Sequence, residues 1–463
     1  MRSLLASLLV APLISGCTVG PDYKRPTATV PTEFRGVSSE ASKAAAASLG
    51  DQKWWEVFRD EQLQSLVRSA IQQNYDVRIA ATRVLQAQAQ LGITRSNQFP
   101  SVSGGADLSA QRSAKSIVFP ELEQSTGQLN LSAAWQLDFW GQYRRATEAA
   151  RASLLGTEWG RRAVISSLVA NVASAYFQLR ALDLQLELSQ NALTARRESL
   201  RLTSVLSNHG YTSELDVRQA EQLVYTASEE IPDLERRIQQ EENFLSTLLG
   251  NNPGPIARGL RLTEQPHSPE IPAGIPSEIL ERRPDIRQSE QLLIAANAQI
   301  GVARAAYYPQ IALTGSGGFQ SDALSRLFAG TAGLWTFAGS LTQPIFTAGK
   351  IRSGVRFAEA QQQEALLSYQ QTIQQSFRDV SDALIGYRKN LEFREQQELL
   401  TASAKDAARL SNIRYKGGVT SYLEVLTNET NYFTAELNLA QAQANELLAL
   451  VQLYQALGGG WQQ

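Results

Sequence analysis

The chain has 463 residues, 43% hydrophobic and 19% charged, and its 43 basic against 45 acidic side chains leave a formal net charge of −2. That balance excludes a strongly basic nucleic-acid binder, and the apolar content excludes a disordered chain. One Cys and two His leave little for a metal centre, a disulfide scaffold or a Cys/His nucleophile pair.

Residues 1–16 read MRSLLASLLVAPLISG, with a positive start at Arg2, an apolar stretch from Leu4 to Ile14 and small residues before Cys17. This predicts a secretory signal peptide, too short for a spanning helix. Leu13-Ile14-Ser15-Gly16-Cys17 resembles a bacterial lipobox. The resemblance implies cleavage after Gly16, a diacylglycerol thioether on Cys17 and acylation of the new amino terminus. Each buried CH₂ contributes roughly 0.8 kcal/mol, so several acyl chains anchor stably. Thr18 rather than Asp at the next position favours outer-membrane sorting, by resemblance to other lipoproteins. Residues 17–55, with Pro21, Pro26, Pro31 and the Ala run 44–47, are expected to form a lipidated tether.

The body of the chain is a tandem duplication. Asn74-Tyr75-Asp76-Val77-Arg78 matches Arg283-Pro284-Asp285-Ile286-Arg287, and Phe99-Pro100 matches Tyr308-Pro309. Gly210-Tyr211-Thr212-Ser213 matches Gly418-Val419-Thr420-Ser421, and Leu249-Gly250 matches Leu457-Gly458. The offset stays at 208 or 209 residues. A first repeat is expected over 56–250, a Pro-rich linker over 251–276, a second repeat over 277–458 and a tail over 459–463. Each repeat reads helix, strand, strand, long helix, turn, helix.

The strands, expected at about 100–112, 126–139, 309–320 and 334–346, alternate between an apolar and a polar face. Val102, Ala106 and Leu108 oppose Ser101, Ser103 and Asp107. Leu129, Leu131 and Trp135 oppose Gln128, Asn130 and Ser132. About ten residues is the length of a tilted membrane-spanning strand, and aromatics such as Phe99, Phe139, Trp140, Tyr308, Trp335 and Phe346 sit near the strand ends as an interfacial girdle requires. Four strands cannot close a barrel, and open edges in hydrocarbon cost several kcal/mol per unpaired group. Copies of the chain are therefore expected to complete it.

Residues 142–208 and 350–416 lack Pro and predict helices of roughly 100 Å at 1.5 Å per residue. From Leu423 a 3–4 spacing runs through Leu426, Thr430, Phe433, Leu437, Ala440, Ala444, Leu447, Val451 and Tyr454, with a second stripe at Val425, Tyr432, Leu439 and Leu453. Two stripes suit a helix with neighbours on both flanks.

Cys17-Thr18-Val19-Gly20-Pro21-Asp22-Tyr23, Trp54-Trp55 with Phe58, Asp60 and Leu63, and Arg282-Arg283-Pro284-Asp285-Ile286-Arg287 resemble the TolC-like outer-membrane factor family, in its lipoprotein branch serving resistance–nodulation–division (RND) efflux. Leu137-Asp138-Phe139-Trp140-Gly141 and Arg414-Tyr415-Lys416-Gly417-Gly418 fit as well. The resemblance implies a mainly α fold with a membrane β-barrel portion, in which a homotrimer forms a twelve-strand barrel continuous with a twelve-helix α-barrel. It implies outer-membrane lipid around the barrel, docking to a periplasmic adaptor (membrane fusion) protein and to an inner-membrane RND transporter, and passive conduction without cofactor or metal.

A gate is expected at the turns near 208–216 and 415–424, with Asp216, Arg218, Arg414, Tyr415, Glu424 and Glu429 as candidates. By family position Arg414 and Tyr415 match residues that make closing contacts. Thr427 stands where relatives commonly carry Asp, so either Glu424 or Glu429 is expected to take that role or the gate is expected to be weaker. No phosphate loop or Ser/His/Asp order points to an enzyme, and His209 and His267 lie in a tip turn and the linker. A type I protein-secretion duct and a coiled-coil lipoprotein without a pore are the alternatives. The lipobox disfavours the former; absence of conductance would favour the latter.

Overall fold

The 208-residue offset reappears as equal element lengths. A computed structural model describes residues 18–28, 30–31, 34–35, 48–112, 114, 123–266 and 276–462. The signal segment, Cys17 and His267 lie outside them. The first repeat runs α1 (Glu61–Gln73), α2 (Tyr75–Ser96), β1 (Ser101–Arg112), β2 (Glu123–Leu137), α3 (Gln142–Asn208) and α4 (Glu214–Leu248). The second runs from a short helix, Ile279–Arg282, through α5 (Pro284–Ala305), β3 (Gln310–Ser321), β4 (Gly333–Thr342) and α6 (Lys350–Lys416) to α7 (Tyr422–Ala456). α2 and α5 have 22 residues each, α3 and α6 have 67, and α4 and α7 have 35.

Two compact units emerge, one of residues 1–27, 83–157 and 288–370, the other of 28–82, 158–287 and 371–463. The first carries the sheet, ordered β1-β2-β3-β4 and antiparallel throughout. Ala133 pairs with Val102 on one side and Gly315 on the other, so β2 and β3 join the repeats. β1 and β4 are edges. The apolar face stays uncovered: Val102, Leu108, Leu131, Phe337 and Leu341 are 64–72% exposed. β4 ends at Thr342, short of the expected 346, because Pro344 has no N–H for a ladder and β3 begins opposite, at Gln310. Phe346 therefore lies beyond the sheet. At its foot Trp140 stacks on Tyr308 with centroids 4.8 Å apart and donates to the Pro309 carbonyl at 2.7 Å.

The segment expected to be a tether is pinned in this unit over Thr18–Arg25. Val19 N donates to the Trp140 carbonyl (3.0 Å) and Asn297 Nδ2 to the Pro21 carbonyl (2.9 Å). Buried Arg145 donates to Asp22 at 2.7 Å, and Arg25 pairs with buried Glu290 at 2.9 Å. Gly20 (φ +111°) lies so close to Gly301 that a Cβ on it would sit 2.5 Å from the Gly301 Cα, so only Gly fits.

The second unit has a helical core around Trp54, Phe58, Leu63, Tyr176, Phe177, Leu453 and Tyr454. Buried Asp60 organises its start. It caps α1 through Gln62 N (2.9 Å) and Leu63 N (3.2 Å), and it accepts from the Tyr176 hydroxyl (2.8 Å), Leu260 N and Gln265 Nε2 (both 2.9 Å). Such a hub satisfies a buried carboxylate that would otherwise be costly. Along α7 the stripe holds from Phe433 to Tyr454 but not at its start: Leu423 is exposed, while Tyr422 and Val425 are buried.

Candidate functional site: the helix–turn–helix tips

Both tips lie in the second unit, and the same backbone device ends α3 and α6. Gly210 N donates to Ser207 O (2.9 Å) and Tyr211 N to Leu206 O (2.9 Å). Gly418 N donates to Tyr415 O (2.9 Å) and Val419 N to Arg414 O (3.0 Å). These paired bonds need a left-handed residue, supplied by Gly210 (φ +76°) and Gly418 (φ +69°). The chain then re-enters a helix at Ser213 and at Ser421.

The side chains differ. In the first tip Ser213 Oγ accepts from Asp216 N (3.2 Å), and the Asp216 carboxylate faces Ser213 N in return, a reciprocal capping box. Asp216 also accepts from the Thr212 hydroxyl, which lies 3.2 Å from the Tyr415 hydroxyl. A polar chain thus runs from the second repeat's tip into the first. The Tyr415 ring meets Tyr422 edge-on, with centroids 5.1 Å apart, and burial pushes the Tyr422 hydroxyl pKa up.

In the second tip Ser421 makes no side-chain cap. Glu424 accepts from the Thr420 hydroxyl and pairs with Arg414 (Nε to Oε1, 3.2 Å). Asp216 and Glu424 are repeat equivalents, each taking the hydroxyl of a Thr four residues earlier. Glu424, one methylene longer, reaches Arg414 instead of closing a capping box. Glu429 accepts from Asn412 Nδ2 at 2.6 Å. Thr427 is exposed and bonds back to the Leu423 carbonyl (2.9 Å).

The structure therefore brings Asp216 and Tyr415 together through Thr212, and Arg414 with Glu424. It does not bring Arg218 to them. Arg218 is exposed and held between Glu214 (2.7 Å) and Glu221 (2.8 Å) of its own helix, which raise its pKa. The residues that sequence reasoning missed are Thr212, signalled only by its place in the repeat match, and Arg196. Arg196 is buried in α3, donates to the Leu223 carbonyl (2.9 Å) of α4 and the Glu429 carbonyl (3.5 Å) of α7, and lies 4.5 Å from the Phe433 ring centroid. Burial pulls its pKa down, opposed by Glu429. One guanidinium thus ties three helices together below the tips.

No helix among the described residues is long and apolar enough to cross a membrane, and no group of three or more His, Cys, Asp or Glu among them could hold a metal ion. The geometry is that of helix ends held by side-chain contacts.

Comparison with known proteins agrees with the repeat. A sequence model of the outer membrane efflux protein family matches residues 66–251 and again 275–459. The toluene efflux pump outer membrane protein TtgC of Pseudomonas putida is 36% identical over 99% of this chain and 96% of its own length. The cation efflux system protein CusC of Escherichia coli is 35% identical over 99% of both. The crystal structure of the open state of the Neisseria gonorrhoeae MtrE outer membrane channel is similar, with a TM-score of 0.88 and 33% identity over 96% of this chain and 99% of that one. With two copies of the family pattern in register with its two structural repeats, the chain belongs to the outer membrane efflux protein family, proteins of the Gram-negative outer membrane that are channels and not enzymes.

Proposed function

We propose that three copies of this chain form the outer-membrane exit duct of a tripartite efflux pump. It conducts substrates passively from a periplasmic adaptor and an inner-membrane RND transporter, and Cys17 carries the lipid anchor. The observation that carries this reading is the four-stranded sheet with two open edges and an uncovered apolar face. In hydrocarbon each unpaired edge group costs several kcal/mol, and three sheets joined edge to edge close a twelve-strand cylinder that removes them all. The names of TtgC and CusC, as efflux-pump and efflux-system proteins, support the role.

The gate lies at the tips. The chain Asp216–Thr212–Tyr415 and the pair Arg414–Glu424 hold the closed arrangement at modest cost, and an adaptor that binds the open arrangement better shifts the balance. Glu424 or Glu429 takes the place of the family's Asp at Thr427, or the gate is weaker for its loss.

Cysteines scanned along β1 and β4 of native-length chains should cross-link into dimers and trimers, since Cys17 is the only native Cys. A ladder that never passes monomer would sink the duct. Tyr415→Phe combined with Arg414→Ala should raise the single-channel conductance of purified trimers several-fold. Conductance equal to that of the native protein would remove these contacts from the gate.

A further inference from the structure

The polar face of the sheet carries one charge. Among the residues of β1 to β4 only Asp107, Arg112 and Glu123 are charged. Arg112 and Glu123 pair with each other at 3.4 Å at the open end of the β1–β2 ladder, on the face of Leu108 and Leu129. Asp107 lies on the opposite face. Its register partners there are Gln128 and, one strand on, Gln320. Neighbouring layers are neutral: Gly105, Asn130 and Gly318, then Ser103, Ser132 and Ser316. The Asp107 carboxylate is exposed and without a partner among the described residues.

We infer that Asp107 is a determinant of ion selectivity inside the barrel, an inference that rests on the three-copy duct proposed above. An unpaired charge in mid-strand on the lipid face is costly, whereas Arg112 and Glu123 are paired with each other at the strand ends, so the polar face with Asp107 lines the lumen. Twelve strands about 4.8 Å apart and tilted about 40° give a backbone cylinder of roughly 12 Å radius. Side chains pointing inward then place three Asp107 carboxylates about 14 Å apart on that geometry. The Debye length is about 10 Å at 0.1 M salt and about 3 Å at 1 M, so the three fields overlap across the lumen in the first case and not in the second. The rest of this face is Gly, Ser, Thr, Asn, Gln and Ala with Leu334, and adds no opposing charge. The ring enriches small cations and cationic solutes at this level and depletes anions.

The test is the reversal potential of purified trimers in planar bilayers under a KCl gradient. Asp107→Asn should lower the cation-to-anion permeability ratio about two- to threefold near 0.1 M KCl and have no effect near 1 M. Asp107→Cys should behave like Asn, recover on modification with a sulfonate-bearing methanethiosulfonate and move further toward anions with a trimethylammonium-bearing one. The acids at the tips are unchanged in all these proteins, so the differences read residue 107 alone. Conducting trimers whose ratio ignores the charge at 107 overturn this inference and leave the duct standing. Chains that form no conducting oligomer overturn the duct and this inference with it.

Discussion

The two helical hairpins, α3–α4 and α6–α7, share their helix lengths and the left-handed glycine that follows each helix (Gly210 and Gly418, Gly250 and Gly458) but not their chemistry. Where the first has Leu186 and the buried Ile238, the second has Arg394 and Glu446, with Nε and Oε2 2.8 Å apart and the Glu446 side chain only 2% exposed. Burial, reinforced by Glu446, pushes the neighbouring Tyr387 hydroxyl up to about 12. Where the second has the buried Ala440, the first has Pro232 inside α4, which removes one helical hydrogen bond. The first tip is closed by its own capping box; the second gives that up for an ion pair. Duplication preserved the backbone plan and left the side chains free to cap one tip from its own helix and to hold the other with a charged contact.

The largest test of this contrast is the buried pair. Glu446→Leu leaves half-buried Arg394 only Glu398, 3.0 Å away on its own helix, and should lower stability by about 3 kcal/mol, the lower end for breaking such a pair, read by denaturant unfolding followed through the helical signal. Arg394→Leu with Glu446→Ile, the residues of the first repeat, should recover most of that loss. A double variant as damaged as the single one would show that packing, not charge, distinguishes the hairpins. Next, Ala440→Pro should cost about 3 kcal/mol or more, by losing a hydrogen bond and pressing the ring into the preceding turn at a buried position. Pro232→Ala should be neutral or stabilising, and a loss there would mean α4 is built around its proline. The smallest test is at the caps: Ser213→Ala should cost about 1 kcal/mol, and Ser421→Ala close to nothing. Equal effects would erase the difference between the tips.

Much of this architecture was legible in the residues. The constant offset became helices of equal length, and the period-two stretches became strands, because alternation and glycine positions are local signals. The tip turns were legible for the same reason, since Gly210 and Gly418 announce their conformation. What the sequence hid are contacts set by which faces meet. Arg196 looks like any polar helix residue until α4 and α7 bring carbonyls to it. Arg394 and Glu446 are 52 positions apart with nothing between them to signal a pair. Arg218 is a gate candidate by its charge and place near the turn, and what the sequence does not show is its pairing with Glu221 and Glu214 on its own helix. The heptad reading slipped at Leu423 because the last turn before the tip packs through Tyr422 and Val425 instead.

The pinned segment at Thr18–Arg25 bears on the order in which the molecule can be built. Arg145 lies some 120 residues downstream of it, but Glu290 and Asn297 follow their partners by 265 and 276 residues. During synthesis Thr18–Arg25 must wait, unseated, until α5 has been made. Closing so long a loop is slow and carries an entropic cost, which a terminus already held at a surface would reduce. The Thr18–Arg25 segment thus cannot settle before α5 exists, and its seating marks the moment when the second repeat has begun to join the first.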